Sequence, residues 1–251
     1  MSTFLRETSI VFNRQLRMNL RNPAWVIIGM LQPVLYLLLF GPLLEPVIGQ
    51  LGVNQYTWFV PGMLVQLGIF GAFFAGFSLI GEWREGVIEA ERVTPASRSA
   101  LLMGRLGRDL LQLLVQALIL VGLGLVMGME WNPGGILLGV VLTILLGGAC
   151  AAASNAFALT VKSEDVMAPV INLVMMPVLL LSGILLPMSF GAAWLDTLAD
   201  FMPIRHVVDA VRGAFFGDFD ASTMGWGVGW TVLLFGLAVW WGTAVFRREN
   251  A

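Results

Sequence analysis

Cysteine, histidine and lysine are almost missing from this sequence, which holds one of each, Cys150, His206 and Lys162, in 251 residues. A lone cysteine excludes an internal disulfide, and its place in the apolar run GGACAAA marks it as a small packing residue. A lone histidine, with no cysteine or second histidine beside it, gives no metal site. A phosphate-binding loop needs Gly-Lys followed by Ser or Thr after a glycine-rich turn. The one lysine follows Val161, so that motif is excluded too. Charge is scarce at 12 % of residues against roughly 25 % in ordinary soluble domains. The net charge of −2 offers nothing to attract a nucleic acid.

What fills the space is hydrocarbon. Apolar residues are 58 % of the chain, more than a soluble core of this size can hide, so lipid is the expected solvent. Covering ~30 Å of hydrocarbon takes about 20 residues of helix, and stretches of that kind occur six times: Trp25 to Leu44, Trp58 to Ile80, Leu110 to Met129, Gly135 to Leu159, Val166 to Leu186 and Trp226 to Phe246. Tryptophan prefers the headgroup level. Trp25, Trp58, Trp83, Trp131, Trp226, Trp240 and Trp241 all fall near an expected span end, Trp230 lies a turn further in, and only Trp194 stands apart. Prolines 33, 169 and 177 lie inside spans, where neighbouring helices satisfy the freed carbonyls. Small residues at helix-packing spacing, Gly68, Ala72 and Gly76, then Gly124 and Gly128, then Gly225 and Gly229, predict close helix contacts.

Cations set the orientation. With the amino terminus inside, the inner side holds Arg6, Arg14, Arg17, Arg21, Arg84, Arg92, Arg98, Arg105, Arg108, Lys162, Arg247 and Arg248, and the outer side keeps Arg205 and Arg212. That asymmetry predicts cytoplasmic termini and an inner loop at residues 81–106. The first 24 residues carry four arginines and no long apolar core, which is not the pattern of a cleaved signal peptide.

Two segments have the periodicity of helices that lie on a membrane. In residues 1–24, Leu5, Phe12, Leu16 and Leu20 share one side while Arg6, Arg14, Arg17 and Arg21 occupy another, which predicts an interfacial helix with a basic face. Residues 187–224 read as an outer helical hairpin dipping into the bilayer. Its first arm carries Trp194, Leu195, Leu198 and Phe201, its second Ile204, Val207, Val208, Val211 and Phe215, and Met202-Pro203 breaks one from the other. Asp196, Asp200, Asp209 and Arg212 form its polar face, and Arg205 is placed to pair with Asp209 at i, i+4.

Ion-coupled carriers keep an ionisable group near the bilayer midplane, and none of the six spans as bounded above contains one. Ser78, Ser154 and Ser182 have no acid or base partner within reach in the sequence, so catalysis is not expected. A bundle with no engine is either passive or borrows one. The inner loop is where borrowing would happen, since six of the eleven residues from Glu82 to Arg92 are charged. Glu82, Glu85 and Glu89 fall on one helix face, a like-charge array better suited to a complementary partner than to water.

Four stretches together resemble the membrane subunits of ABC-2 type (type V) exporters, the daunorubicin-resistance-like permeases: the amino-terminal helix running into RNPAWVIIGMLQPVLYLLLFG; the loop WREGVIEAERVTPASRSALLMGRL, with Arg84-Glu85-Gly86 ahead of Glu89 and Val93-Thr94-Pro95-Ala96-Ser97-Arg98; LLLSGILLPMSF; and PIRHVVDAVRG before the last span. The last departs from the family's commoner N-P-L-x-Y, with Met202-Pro203-Ile204-Arg205-His206 in its place.

The resemblance implies a single transmembrane domain over residues 1–251, all-α, with six spans, an interfacial helix and an outer re-entrant hairpin. It implies a coupling loop in which Glu82, Arg84, Glu85, Gly86, Glu89, Arg92, Thr94 and Pro95 meet a separate nucleotide-binding subunit that binds ATP and magnesium. The present chain would hold no cofactor, and Arg14, Arg17 and Arg21 of the interfacial helix would rest on the same cytosolic surface. A second permease, a copy or a paralogue, would complete a path lined by Phe70, Phe73, Phe74, Phe77, Met175 and Met176, apolar and adaptable enough for an amphiphilic cargo. Pro203, Asp209 and Arg212 would shape the outer hairpin. The implied activity is outward movement of a drug, lipid or glycolipid across a bacterial inner membrane. A passive channel, a secondary carrier, and a scaffold or immunity protein are the competing readings of the same residues.

Overall fold

A computed structural model of the chain describes residues 3–21, 24–88, 97–188 and 191–248. These form nine α-helices and no strand. In order they are α1 (Thr3–Arg21), α2 (Ala24–Ile48), α3 (Gln55–Arg84), α4 (Arg98–Val126), α5 (Pro133–Val161), α6 (Glu164–Leu181), α7 (Ala193–Asp200), α8 (Pro203–Phe216) and α9 (Ala221–Arg248). A 3-10 turn, Gly49–Leu51, follows α2, and helical backbone resumes at residues 87 and 88. Six of the helices, α2, α3, α4, α5, α6 and α9, are long and apolar enough to cross a membrane.

α3 and α5 form the centre and are the most enclosed of the six. They approach closely because the small residues expected there are the ones in the seam. A Cβ on Gly68 would stand 3.0 Å from the Thr143 carbonyl oxygen, and one on Gly76 would stand 2.7 Å from that of Ser154. Gly124 of α4 takes the Val60 side chain in the same way. The other expected contacts fail for a geometric reason. Gly128 lies in the turn beyond α4, while Gly225 and Gly229 have nothing within 4 Å because the packed face of α9 is the opposite one, two residues away at Gly227 against Ala210 and His206 of α8.

Helix ends follow local chemistry. The Asn54 side chain accepts hydrogen bonds from the Tyr56 and Thr57 amides and starts α3. Asn132 accepts from the Gly135 amide, with Pro133 in the first turn, and starts α5. Prolines 33, 169 and 177 all sit inside helices, as expected. Three boundaries differ from the sequence expectation by five residues or more, one of them the start of the last span, at Ala221 instead of Trp226. The third span begins at Ser99 instead of Leu110, because inside the bundle Arg105 pairs with Glu82 of α3 and Arg108 with Asp109 and the Gln15 amide oxygen. The fifth ends at Leu181, since Gly183 adopts the left-handed φ of 70°.

The second arm of the expected hairpin packs inside the bundle. α8 is wedged among α3, α5 and α9, and Val207, Val208, Val211 and Phe215 of its expected apolar stripe are all buried. The first arm, α7, touches only α6 and α8 among its stronger contacts and leaves Trp194, Leu198 and Phe201 exposed. Met202 and Pro203 divide the two arms, with Pro203 opening α8.

Candidate functional site

The arginine-rich end of the bundle is where the loop between α3 and α4 leaves and returns. α3 reaches Arg84 and α4 starts at Arg98, so helix covers both flanks of the 81–106 segment and the connection proper is residues 85–97. Glu85 caps α3, and Gly86 turns the chain with φ of 74° while its amide donates to the Trp83 carbonyl. A side chain at that φ would be strained, which accounts for glycine at this position.

That turn breaks the expected glutamate array. Glu82, still on α3, is only 7 % exposed, whereas Arg84 and Glu85 are exposed. Glu82 Oε2 accepts from Arg105 Nη2 at 2.7 Å and from Arg105 Nε at 3.3 Å, and its Oε1 accepts from Gln15 Nε2 at 2.9 Å. The expectation of a partner-facing Glu82 is therefore corrected. A buried carboxylate needs a counter-charge, and Arg105, one helix away, supplies it. Glu89, Arg92, Thr94 and Pro95, also assigned to this loop, lie outside the described residues.

Gln15 joins the pair to a second one. Its side-chain oxygen accepts from Arg108 Nη1 at 3.0 Å, and Arg108 also grips Asp109 Oδ1 at 2.6 Å. Two arginines and two carboxylates thus balance in charge, with one neutral amide bridging them. Asn19 donates to Gln112 Oε1 at 2.9 Å, and Glu7 Oε2 accepts from the Ser97 amide at 2.9 Å, where the chain re-enters α4. Glu7, Gln15 and Asn19 recur at helical spacing and stitch α1 to the base of the loop. On the rim, Arg84 pairs with Glu164 of α6 at 3.1 Å, and Lys162 Nζ lies 5.9 Å from the Trp83 ring.

α1 therefore has three faces instead of two. Val11, Phe12, Gln15 and Asn19 meet α4; Leu5 and Leu20 of the expected apolar stripe are exposed; and Arg6, Arg14, Arg17 and Arg21 are exposed on the remaining side. The basic face was legible. The packed face was missed because it is built on glutamine and asparagine, which a search for apolar periodicity passes over. Arg105, Arg108 and Asp109 were missed for the complementary reason, since the span had been started after them.

Of the expected path residues, Phe70, Phe73, Phe74 and Phe77 do share one partly open strip of α3, with Phe74 the most exposed at 54 %. Met175 and Met176 point apart. Met175 is 4 % exposed and belongs to the core, and Met176 is 68 % exposed.

At the far end, Arg205 gathers Asp196 at 2.8 Å, Asp200 at 3.0 Å and the expected Asp209 at 3.7 Å. Arg212 is turned inward. It lies over the Trp58 ring at 4.0 Å and donates to the carbonyls of Trp58 and Gly183, at 3.2 and 3.1 Å. Burial pushes its guanidinium down to about 10, with Asp209 opposing that shift. Burial also raises the Asp209 carboxyl against the pull of Arg212 and Arg205. His206 faces the Asp200 carbonyl at 3.0 Å.

Comparisons with known proteins agree with this architecture. The family described as ABC-2 type transporter matches residues 6–216. A putative transport permease, ycf38, of Cyanophora paradoxa is 25 % identical over 214 residues, covering 83 % of this chain and 74 % of the relative. The daunorubicin resistance ABC transporter permease protein DrrB1 of Streptomyces coeruleorubidus is 25 % identical over 197 residues, 78 % of this chain and 70 % of its own length. The probable doxorubicin resistance ABC transporter permease protein DrrC of Mycobacterium tuberculosis is 26 % identical over 220 residues, covering 85 % and 78 %. With six membrane-crossing helices and a family match running from α1 to the end of α8, the chain belongs to the ABC-2 type transporter family, as a transmembrane permease subunit.

Proposed function

We propose that this permease exports a hydrophobic or amphiphilic cargo outward across a bacterial inner membrane, with both termini cytoplasmic. A separate ABC nucleotide-binding subunit drives it through residues 85–97. A second permease, a copy or a paralogue, completes the pathway. The observation that carries this reading is the Glu82–Arg105 pair at the base of the loop, buried and only 2.7 Å long. It clamps the end of α3 to the start of α4, so a push on the loop is delivered to both helices together. Gln15 and Arg108 add α1 to the same rigid unit.

Exposed Glu85, with Glu89, Arg92, Thr94 and Pro95 beyond it, forms the surface offered to the ATPase, and the basic face of α1 with Arg14, Arg17 and Arg21 borders it. The phenylalanine strip of α3 and Met176 face the cargo path or the second permease. Daunorubicin and doxorubicin, named for the relatives, are apt first cargoes because each joins an apolar ring system to a cationic amine.

The test uses inverted vesicles containing this chain and a candidate ABC ATPase subunit from the same genome. Glu85→Lys with Glu89→Lys should abolish ATP-dependent uptake of doxorubicin and reduce co-purification of the ATPase while leaving membrane insertion intact. Unchanged ATP-driven uptake rejects the coupling surface. Uptake that instead tracks a proton gradient at constant ATP identifies a secondary carrier.

A further inference from the structure

The bundle is open on one side, between α6 and α9. α6 leans on α3 and α5, while α9 is seated on α5, α8 and α4. The wedge between them is a cleft of about 160 Å³, floored by Phe73, Ala153 and Phe157, with Val170, Val174 and Trp241 at its mouth. The three mouth residues are exposed. One polar side chain, Ser154, reaches the wall, and its hydroxyl is already engaged. It donates to the Phe73 carbonyl at 2.7 Å and accepts from the Gly76 amide at 3.2 Å. What remains is a hydrocarbon surface.

Both helices that frame the mouth are membrane-crossing, so the medium outside it is hydrocarbon and not water. An apolar cavity of roughly 150 Å³ holds a six-carbon ring, so this cleft has room for a run of about six carbons of alkyl chain. Its position along the bundle says which molecule brings that chain. Phe157 and Val170 each lie within two turns of the arginine-rich end, roughly 7–9 Å at 1.5 Å per residue. There Trp83, Arg84 and Lys162 stand at headgroup level, with Arg84 already paired to Glu164 of α6 at 3.1 Å, so the anion attraction rests on Lys162 beside the Trp83 ring and on an Arg84 that can share its guanidinium. A chain lying in the cleft would bring its headgroup among them.

We propose that the cleft between α6 and α9 is a binding site for one acyl chain of an anionic phospholipid, whose phosphate rests beside Lys162 and Arg84. The site requires only that the chain be embedded in a bilayer, and it stands or falls separately from coupling to an ATPase.

The test places the full chain in nanodiscs containing phosphatidylglycerol with a diazirine midway along one acyl chain, followed by photolysis and peptide mapping. Labelling should concentrate on α6 and α9 around Val170, Val174 and Trp241. Ala153→Phe, which fills the floor, should reduce it at least fivefold without changing labelling of the exposed α2 residues Leu31 and Leu35. Val174→Trp, which blocks the mouth from the lipid side, should give the same loss if Ala153→Phe does not fold. Unlabelled phosphatidylglycerol should compete better than phosphatidylcholine, and Lys162→Gln should erase that preference. Equal labelling of α2 and α9, unaffected by either filling variant, overturns the site. Equal competition by the two lipids overturns the headgroup assignment. If labelling is absent and Val174→Cys forms a disulfide between two copies, a second copy of the chain covers the cleft and the lipid proposal fails.

Discussion

Glu82 and Arg105 face each other at 2.7 Å across the base of a charged loop, both almost completely buried, and each is the other's principal compensation. Taking a carboxylate out of water costs several kcal/mol, which the opposite charge recovers only when geometry and additional hydrogen bonds are good. Here the Gln15 amide completes the glutamate's second oxygen. Arg105→Met should therefore destabilise the protein by about 3–5 kcal/mol, because it strands a buried anion. The double variant Glu82→Leu/Arg105→Met should recover most of that loss. Thermal unfolding in one detergent, followed by size-exclusion fluorescence, measures both. A double variant no better than the single one means that the pair is not the compensating unit.

Gln15 touches both ion pairs, so its removal separates α1 from the frame. Gln15→Ala should cost about 1–3 kcal/mol through the buried donors and acceptors it leaves unmatched. It should also speed tryptic cleavage at Arg14, Arg17 and Arg21 by freeing α1 from α4. Arg17→Gln, on the exposed face, should leave the stability within about 0.5 kcal/mol of the parent. Equal proteolysis of Gln15→Ala and the parent would show that α1 is held by Val11 and Phe12 alone.

Much of this architecture was legible because membrane burial writes long simple signals. Twenty apolar residues bounded by tryptophan leave little choice but a spanning helix, and all six were found within a few residues of most ends. The stripe Val207, Val208, Val211 and Phe215 was equally plain, although its depth in the bundle was not. A stripe says which face is covered and not what covers it. The polar frame was invisible for a different reason. Charge-bearing residues were taken as the end of a span, so the third span was started at Leu110, after Arg105, Arg108 and Asp109, while Gln15 and Asn19 count as surface residues on any hydropathy scale. Their function depends on three helices meeting, and that contact has no one-dimensional signature. The same is true of Arg205, whose i, i+4 partner Asp209 was predictable and whose closer partners on α7 were not.

Gly76 tests whether the α3–α5 seam is as tight as its geometry. A Cβ there would stand 2.7 Å from the Ser154 carbonyl oxygen, a backbone atom that cannot rotate away. Gly76→Val should destabilise the bundle by on the order of 1–3 kcal/mol through overpacking. Gly225→Ala and Gly229→Ala, where nothing lies within 4 Å, should be neutral or slightly stabilising through helix propensity. If all three variants behave alike, the seam has slack that its geometry does not suggest.

Arg212 holds the start of α3 and the break after α6 with one planar group, donating to the carbonyls of Trp58 and Gly183 while lying on the Trp58 ring. Lysine carries the same charge without the fork. Arg212→Lys should thus lose on the order of 2–3 kcal/mol despite conserving charge. Asp209→Asn should cost less, since that carboxylate stands 4.0 Å from the guanidinium. A harmless Arg212→Lys would mean that charge alone is needed at this position.

Asp220 gives the start of α9 a pH dependence. Its Oδ2 accepts from the Ser222 hydroxyl and from both the amide and the hydroxyl of Thr223 at the start of α9. Those donors, the Ser222 hydroxyl first, pull the carboxyl down to about 2 from its ordinary 3.8. A folded-state value below the unfolded one means that the cap is fully stabilising above the unfolded value and is lost as pH falls through the folded one. The window therefore runs from about pH 4 down to about pH 2. Asp220→Asn keeps a side-chain oxygen for the Thr223 amide but cannot titrate. The parent should melt at a higher temperature than Asp220→Asn at pH 7, and the gap should close across that window. A gap that stays constant down to pH 2 would mean that the acid sensitivity does not come from Asp220.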